Sequence, residues 1–382
     1  MNVYLDYAAT SIKKPDAVIS AMTDFLVNHN ANPGRGGYER SLEAGRLMLS
    51  ARKTVADFFS AEKEDHVVFT LNVTMALNMA IQGLVEPGDH IIISGMEHNA
   101  VYRPVYALAK EGKITFDVIP TSVEGLTDPE DFLKCVKHNT KMLIFSHASN
   151  VCGSIFPLRE VVQLAKERSI MTIVDTAQTA GVLPLTMEDV DVLAFTGHKH
   201  LLGPNGTGGF VLSEDAARRM KPLLRGGTGS LSHRAEQPEF MPDKFESGTI
   251  NTVGIMGLEA GVKYLQQLGI EEERKKEMTL TGSLLEGLQE IVQAKIYGPP
   301  GLDLRTGTVA FNMHGVDNSE LCYVLDKQFG IMGRPGLHCS PLGHQTLGTY
   351  PEGVMRLSVG SDTTMDEIEY TLDALKKIGE KL

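Results

Sequence analysis

Cysteine is scarce in this chain: Cys135, Cys152, Cys322 and Cys339 are dispersed over 382 positions. So few and so scattered, they exclude a disulfide framework, and no C-x-x-C pair or Cys/His spacing offers a zinc site. Long apolar runs are also missing. Nothing approaches the ~18 consecutive apolar residues of a membrane-spanning helix. The segment MNVYLDYAATS carries Asp6 and no basic-then-apolar sequence, so it is not a secretory signal. The expectation is a cytoplasmic protein with reduced thiols and no membrane contact. Positive charge is in deficit, with 36 Lys and Arg against 48 Asp and Glu and a net charge of −12. That balance argues against nucleic acid as a partner, because non-specific polyanion binding needs clustered cations. Neither G-x-x-x-x-G-K-[ST] nor an early strand followed by G-x-G-x-x-G occurs, which removes the nucleoside triphosphate and dinucleotide fingerprints. No repeat of 20 to 50 residues is present.

What remains is an ordinary globular composition, 42% hydrophobic and 22% charged, in a chain long enough for two or three domains. Short apolar runs alternate with amphipathic stretches up to about residue 215, the pattern of strands interleaved with helices in a mostly parallel sheet. Strands are expected at His66–Thr70, His90–Ser94, Ile114–Ile119, Lys141–Ser146, Met171–Asp175, Val190–Thr196 and Gly208–Leu212. Helices are expected at Ser41–Phe59, Thr74–Gln82, Val101–Glu111 and Leu158–Glu167. Residues 215–250 read as irregular chain, rich in glycine and proline. Two helices follow, Val253–Gln267 and Ile270–Val292. Strands near Thr308–Met313 and Met355–Val359, with helices Ser319–Phe329 and Met365–Ile378, complete a smaller α/β unit. We place a large three-layer domain over residues 15–255 and a small C-terminal domain over 256–382, joined by segment 1–14.

In open α/β sheets ligands bind beyond the carboxyl ends of the strands. Asp175 ends one expected strand, and Thr196, His198 and Lys199 end the next. An amine and a carboxylate held in one crevice are what pyridoxal 5'-phosphate requires: lysine forms a Schiff base with the aldehyde, and the carboxylate keeps the pyridine nitrogen protonated. A strand-end salt bridge is the other reading of the same spacing. Asn72, Val73 and Thr74 run from a strand into a helix, where amides and a hydroxyl suit a phosphate or simply cap the helix. His98, also at a strand end, is placed to stack on an aromatic ring or to serve structure alone. Asn150 offers a donor near a ring hydroxyl or a turn.

Taken together, Tyr4-Leu-Asp-Tyr-Ala-Ala-Thr10, Glu97-His98-Asn99, Asp175-Thr-Ala-Gln178, Gly197-His198-Lys199 and Phe245-Glu-x-Gly248-Thr249-x-Asn251 resemble the class V aminotransferase family, and within it the cysteine desulfurase branch. The resemblance implies a type I PLP-dependent transferase fold with pyridoxal 5'-phosphate as cofactor. Lys199 would be the lysine that takes the aldehyde, Asp175 the pyridinium partner, and His98 the ring-stacking, proton-shuttling group. Gln178 would donate to the ring phenolate oxygen, Thr74, Thr196 and His198 would hold the phosphate, and Asn150 would adjoin substrate and ring. Thr249 would reach the phosphate of a neighbouring subunit, implying a homodimer.

Arg334-Pro-Gly-Leu-His338-Cys339 and Met355-Arg356-Leu-Ser358 resemble, respectively, the desulfurase segment carrying the nucleophilic cysteine and the strand whose arginine grips a substrate carboxylate. The implied reaction converts L-cysteine to L-alanine and leaves a persulfide on Cys339 for a sulfur-acceptor protein, with iron–sulfur cluster assembly among the pathways such sulfur serves. Arg334 and Arg356 are the substrate-binding arginines. Glycines at 336, 343 and 348 are expected to make the segment mobile, and His338, His344 or Arg334 to raise the thiolate fraction of Cys339. Met75, Leu71-Asn72 and Cys152 depart from the common pattern, where glutamate, Ser-Gly and threonine are usual. Selenocysteine lyase, cysteine sulfinate desulfinase, and an aminotransferase or epimerase that ignores the thiol are the alternative chemistries.

Overall fold

The computed structural model describes residues 1–34, 36–188 and 190–381. Its strands are β1 (Val3–Tyr4), β2 (Val67–Thr70), β3 (His90–Ile93), β4 (Thr115–Val118), β5 (Thr140–Ser146), β6 (Met171–Asp175), β7 (Val192–Thr196), β8 (Gly208–Leu212), β9 (Ala294–Tyr297), β10 (Thr308–Met313), β11 (Ile331–Met332), β12 (Arg334–Gly336) and β13 (Val354–Ser358). Seven of them form the main sheet in the order β2-β8-β7-β6-β5-β3-β4. Only β8 runs against the rest, pairing antiparallel with β7 and β2.

Apolar residues occupy both faces of these strands except the edge strand β4, whose Thr115 and Asp117 share one face, so the body of the sheet needs a cover on each side. Leu143 and Phe145 of β5 pack with helices Glu39–Phe58 and Leu158–Lys166, while Met142 and Ile144 pack with helices Val73–Leu84 and Asn99–Lys110. The result is the three-layer arrangement the pattern predicts. Residues 220–250 form neither helix nor strand, as expected, but the expected irregular stretch from 215 begins inside a short helix, Glu214–Arg219, that Ser213 caps by accepting the Ala216 N–H.

A second sheet, β12-β13-β10-β9, is antiparallel throughout. Its core gathers Leu284, Leu325, Phe311 and Leu375 together with Val3 and Leu5. The N-terminal segment reaches it because β1 pairs parallel with β11 and Asp6 bridges Ser358. The helix Thr252–Leu268 corrects our boundary near residue 255: its Ile255, Leu258, Val262 and Leu265 lie in the core of the large sheet. The chain passes to the second core at Gly269, whose φ of +88° lies where side chains are disfavoured.

Candidate active site

The carboxyl ends of β3, β5, β6 and β7 converge on a small cavity whose lining includes Val73, His98, Asn150, Asp175, Gln178 and Lys199. Asp175 is buried at the end of β6, where its Oδ1 accepts from the Ala177 N–H at 2.9 Å. Burial holds this carboxyl above the usual aspartate range, opposed by that hydrogen bond and by the charge of Lys199. Lys199, in the turn after β7, is pushed down to about 8, chiefly by burial against the pull of Asp175. No ion pair joins the two among the described residues, although both line this recess.

Several buried polar atoms around this space lack partners: Thr196 Oγ1, Gln178 Oε1, Asn150 Oδ1 and Arg356 Nε. Buried polar groups are normally satisfied, so a cluster of orphans marks a place for a polar ligand. Gln178 spends one Nε2 hydrogen on the Ala8 carbonyl at 3.0 Å and retains the other. His98 caps the helix Asn99–Lys110 by accepting the Ala100 N–H on Nδ1 at 3.0 Å, which leaves its proton on Nε2. Burial first, then the charge of Lys199, pushes His98 down to about 4, so the ring is neutral at pH 7. His198 is neutral for the same reason, at about 4, with Nδ1 3.0 Å from Thr10 Oγ1. At the start of the helix Val73–Leu84 the capping oxygen belongs to Asn72, which accepts from the Met75 N–H at 2.9 Å, and Thr74 is exposed. Gly208 lets β8 press against this corner, since a Cβ there would lie 2.8 Å from the Asn72 backbone.

Cys339 is the one exposed thiol of the four, Cys152 being buried and Cys135 and Cys322 half-buried. It lines a groove of about 1100 Å³ with Thr74 and Arg103, and His98 belongs to both this groove and the Lys199 cavity. The cysteine turn is tied down rather than free. Its Cys339 carbonyl accepts the Asn99 N–H at 2.7 Å, the Ser340 hydroxyl donates to the Glu97 carbonyl at 2.8 Å, and Asn150 Nδ2 donates to the His338 carbonyl at 2.6 Å. His338 and Cys339 both adopt left-handed φ, +49° and +56°, a conformation that only surrounding contacts sustain in non-glycine residues.

Two expectations for this segment need correcting. Gly343 supplies no mobility, since it lies inside the helix Pro341–Thr346 and a Cβ there would sit 2.7 Å from Ser340 Oγ. The histidines supply no charge to the thiol: burial pushes His338 to about 3 and His344 to about 4, and the neutral rings stack 5.8 Å apart. Arg334 is already bonded to Asp6. Thr249 stands apart from the Lys199 cavity, in a separate cleft with Arg52 and Glu246.

Sequence reasoning passed over two residues. Glu97 is fully buried, its carboxylate accepting from Ser94 Oγ and, at 2.9 Å each, from Ser146 N and Oγ, thereby tying the ends of β3 and β5 together. Asp6 accepts from Arg334 and from the buried Arg356 at once. Membership in the quoted motifs was the signal available for both.

The family model for Aminotransferase class-V matches residues 3–371. The chain belongs to the class V aminotransferase family. Members of this family, cysteine desulfurases among them, generally depend on pyridoxal phosphate. A probable cysteine desulfurase of Methanothermobacter thermautotrophicus is 32% identical, over 99% of this chain and 94% of its own length. A cysteine desulfurase of Haloferax volcanii is 34% identical over 98% of this chain and 88% of its own. Among solved structures, the apo cysteine desulfurase of Thermococcus onnurineus superposes with a TM-score of 0.94 at 32% identity, covering 100% of this chain and 95% of that one. The architecture is accordingly the type I PLP fold.

Proposed function

We propose that this class V protein is a PLP-dependent cysteine desulfurase that converts L-cysteine to L-alanine and retains the sulfur on Cys339. The observation that carries the proposal is the shared wall: His98 faces both the cavity of Lys199 and Asp175 and the groove of Cys339. The amine of Lys199 and the exposed thiol of Cys339 thus stand in adjoining recesses, near enough for the thiol to act electrostatically on the amine. The orphaned Thr196 hydroxyl, the remaining Gln178 Nε2 hydrogen and the Asp175 carboxylate, which no cation pairs among the described residues, suit the phosphate, the phenolate oxygen and the ring nitrogen of the cofactor. When bound, pyridoxal phosphate supplies the aldehyde and the electron-withdrawing ring.

The chain's own residues do the rest. Asp175, with no cation hydrogen-bonded to it among the described residues, would hold a proton on the ring nitrogen of a bound cofactor through a charge-assisted bond of roughly 1.5–3 kcal/mol. Lys199, lowered to about 8, has a neutral fraction at pH 7 able to take the Cα proton and return one. Arg356 holds the substrate carboxylate with its free Nε edge. The Cys339 sulfur then attacks the substrate sulfur: an S–S bond forms as Cβ–S breaks, and the electron pair stays with the three-carbon skeleton. That skeleton takes a proton at Cβ and leaves as alanine. Because the turn is pinned, the persulfide is handed over in the groove, where a sulfur-acceptor protein has to reach it. The Thr249 cleft supports a homodimer, with Thr249 serving the partner's phosphate.

Alanine and sulfide release from L-cysteine tests this reading. The wild type is expected to produce both in the presence of a thiol reductant, and Cys339→Ser to lose both while keeping its cofactor absorbance. Equal alanine release by the two proteins overturns the proposal in favour of a class V reaction without a thiol.

A further inference from the structure

Arg334 and Arg356 stand directly opposite one another across the antiparallel β12–β13 pair. Like charges so placed repel, and here one of the guanidiniums is buried, Arg356 being only 3% exposed. The carboxylate that holds them together comes from the far end of the chain. Asp6 Oδ2 accepts from Arg334 Nε at 3.0 Å and Nη2 at 2.7 Å, and Oδ1 accepts from Arg356 Nη2 at 2.9 Å. The backbone of this segment is itself fixed, because the Ser358 N–H donates to the Leu5 carbonyl at 2.7 Å and the Ala8 N–H to Ser358 Oγ at 2.8 Å.

Two guanidiniums and one carboxylate leave a single positive charge uncompensated. That excess is directional. Arg334 has spent its Nε edge on Asp6, whereas Arg356, held at Nη1 by the Asn150 carbonyl at 2.8 Å and at Nη2 by Asp6, keeps a buried Nε with no partner.

We propose that Asp6 is a positioning residue for substrate recognition: it offsets the Arg334–Arg356 repulsion, orients the Arg356 guanidinium with its Nε edge free, and leaves one net positive charge for one carboxylate on the substrate's α-carbon. Arg334 acts through Asp6, by keeping that carboxylate from neutralising Arg356. The proposal rests on the desulfurase reading for its substrate and is tested separately from it.

The experiment uses holoenzyme and isothermal titration with L-alanine and with L-alaninamide, which lacks the carboxylate charge. Steady-state KM and kcat for L-cysteine are measured alongside. Asp6→Asn is expected to weaken L-alanine binding about ten-fold or more, to raise KM by more than kcat falls, and to leave L-alaninamide binding as in the wild type. Arg334→Gln leaves one guanidinium facing one carboxylate and is expected to weaken L-alanine selectively as well. The double variant still lacks the carboxylate that orients Arg356 and is expected to bind L-alanine no better than Asp6→Asn, the two losses not adding because they act through one contact. Wild-type affinity for L-alanine in either single variant, or equal loss of both ligands, overturns the proposal. Should Asp6→Asn yield no folded holoenzyme, Arg334→Gln decides alone. A wild type that releases no alanine from L-cysteine sinks the desulfurase reading, while the pattern of ligand affinities still judges the arginine clamp.

Discussion

At the scale of single residues, burial outweighs pairing around this site. Lys199, His98 and Asp175 are all moved toward their neutral forms, with desolvation the largest cause in each case. Glu97 shows the same effect and gives a pH prediction. Burial raises it from the ordinary glutamate value to about 7 despite its three hydrogen bonds. A folded-state value above the unfolded one means the ionised form is disfavoured in the fold, so the contribution of Glu97 to stability is fully present below about pH 4.5 and is lost as pH rises toward 7. The decline amounts to about 3 kcal/mol at 1.36 kcal/mol per unit. Glu97→Gln is expected to flatten that window in urea titrations at pH 5 and pH 8; an unchanged difference between the two would show that Glu97 is not the group responsible. Asp175 and Lys199 were legible in the sequence because each follows an apolar run that ends at the ligand-binding edge of a parallel sheet. The charge pairing of Asp6 was not, since its arginine partners lie 328 and 350 positions away and no local period connects them.

At the scale of elements, the strands of the large sheet other than the edge strand β4 were readable because both of their faces are apolar, and the ends of all seven fell within two residues of those expected. The cysteine segment was misread for the opposite reason. A six-residue helix opened by Pro341 is too short to show a helical period, and glycines near it passed for hinges. Gly343 instead makes room for the Ser340 hydroxyl that anchors the turn. Gly343→Ala is expected to displace that hydroxyl, at the cost of one buried hydrogen bond of roughly 1–1.5 kcal/mol. Alanine release should fall about ten-fold, with the cofactor absorbance retained. Wild-type turnover in this variant would mean that the turn holds its shape without Ser340.

At the scale of the whole molecule, the three layers were predictable from alternating patterns, while the change of core was placed one helix early. The helix Thr252–Leu268 carries an apolar stripe that fits either sheet on sequence grounds, and only packing assigns it to the larger. The cleft of Thr249 also belongs to this scale. It is about 1860 Å³ in volume, and Tyr38, Leu49 and Phe240 in its walls are all exposed in the single chain. A second copy seated there would cover them. Leu49→Arg, on an exposed helix face, is expected to shift sedimentation from dimer to monomer and to lower the affinity for the cofactor. A wild type that sediments as a monomer, or a variant that stays dimeric and fully loaded, would remove the Thr249 argument.

The pairing of residues 3–6 with β11 and β13 also sets a timetable for biosynthesis. Lys199 and Asp175 exist as neighbours once the large sheet has closed, yet Asp6 must wait for strands more than three hundred residues downstream. A nascent polypeptide still lacking residues 354–358 therefore has the Lys199–Asp175 cavity without Arg356, the substrate anchor proposed above. On the reading proposed above, the ability to tell an amino acid from an amine waits for the synthesis of β13.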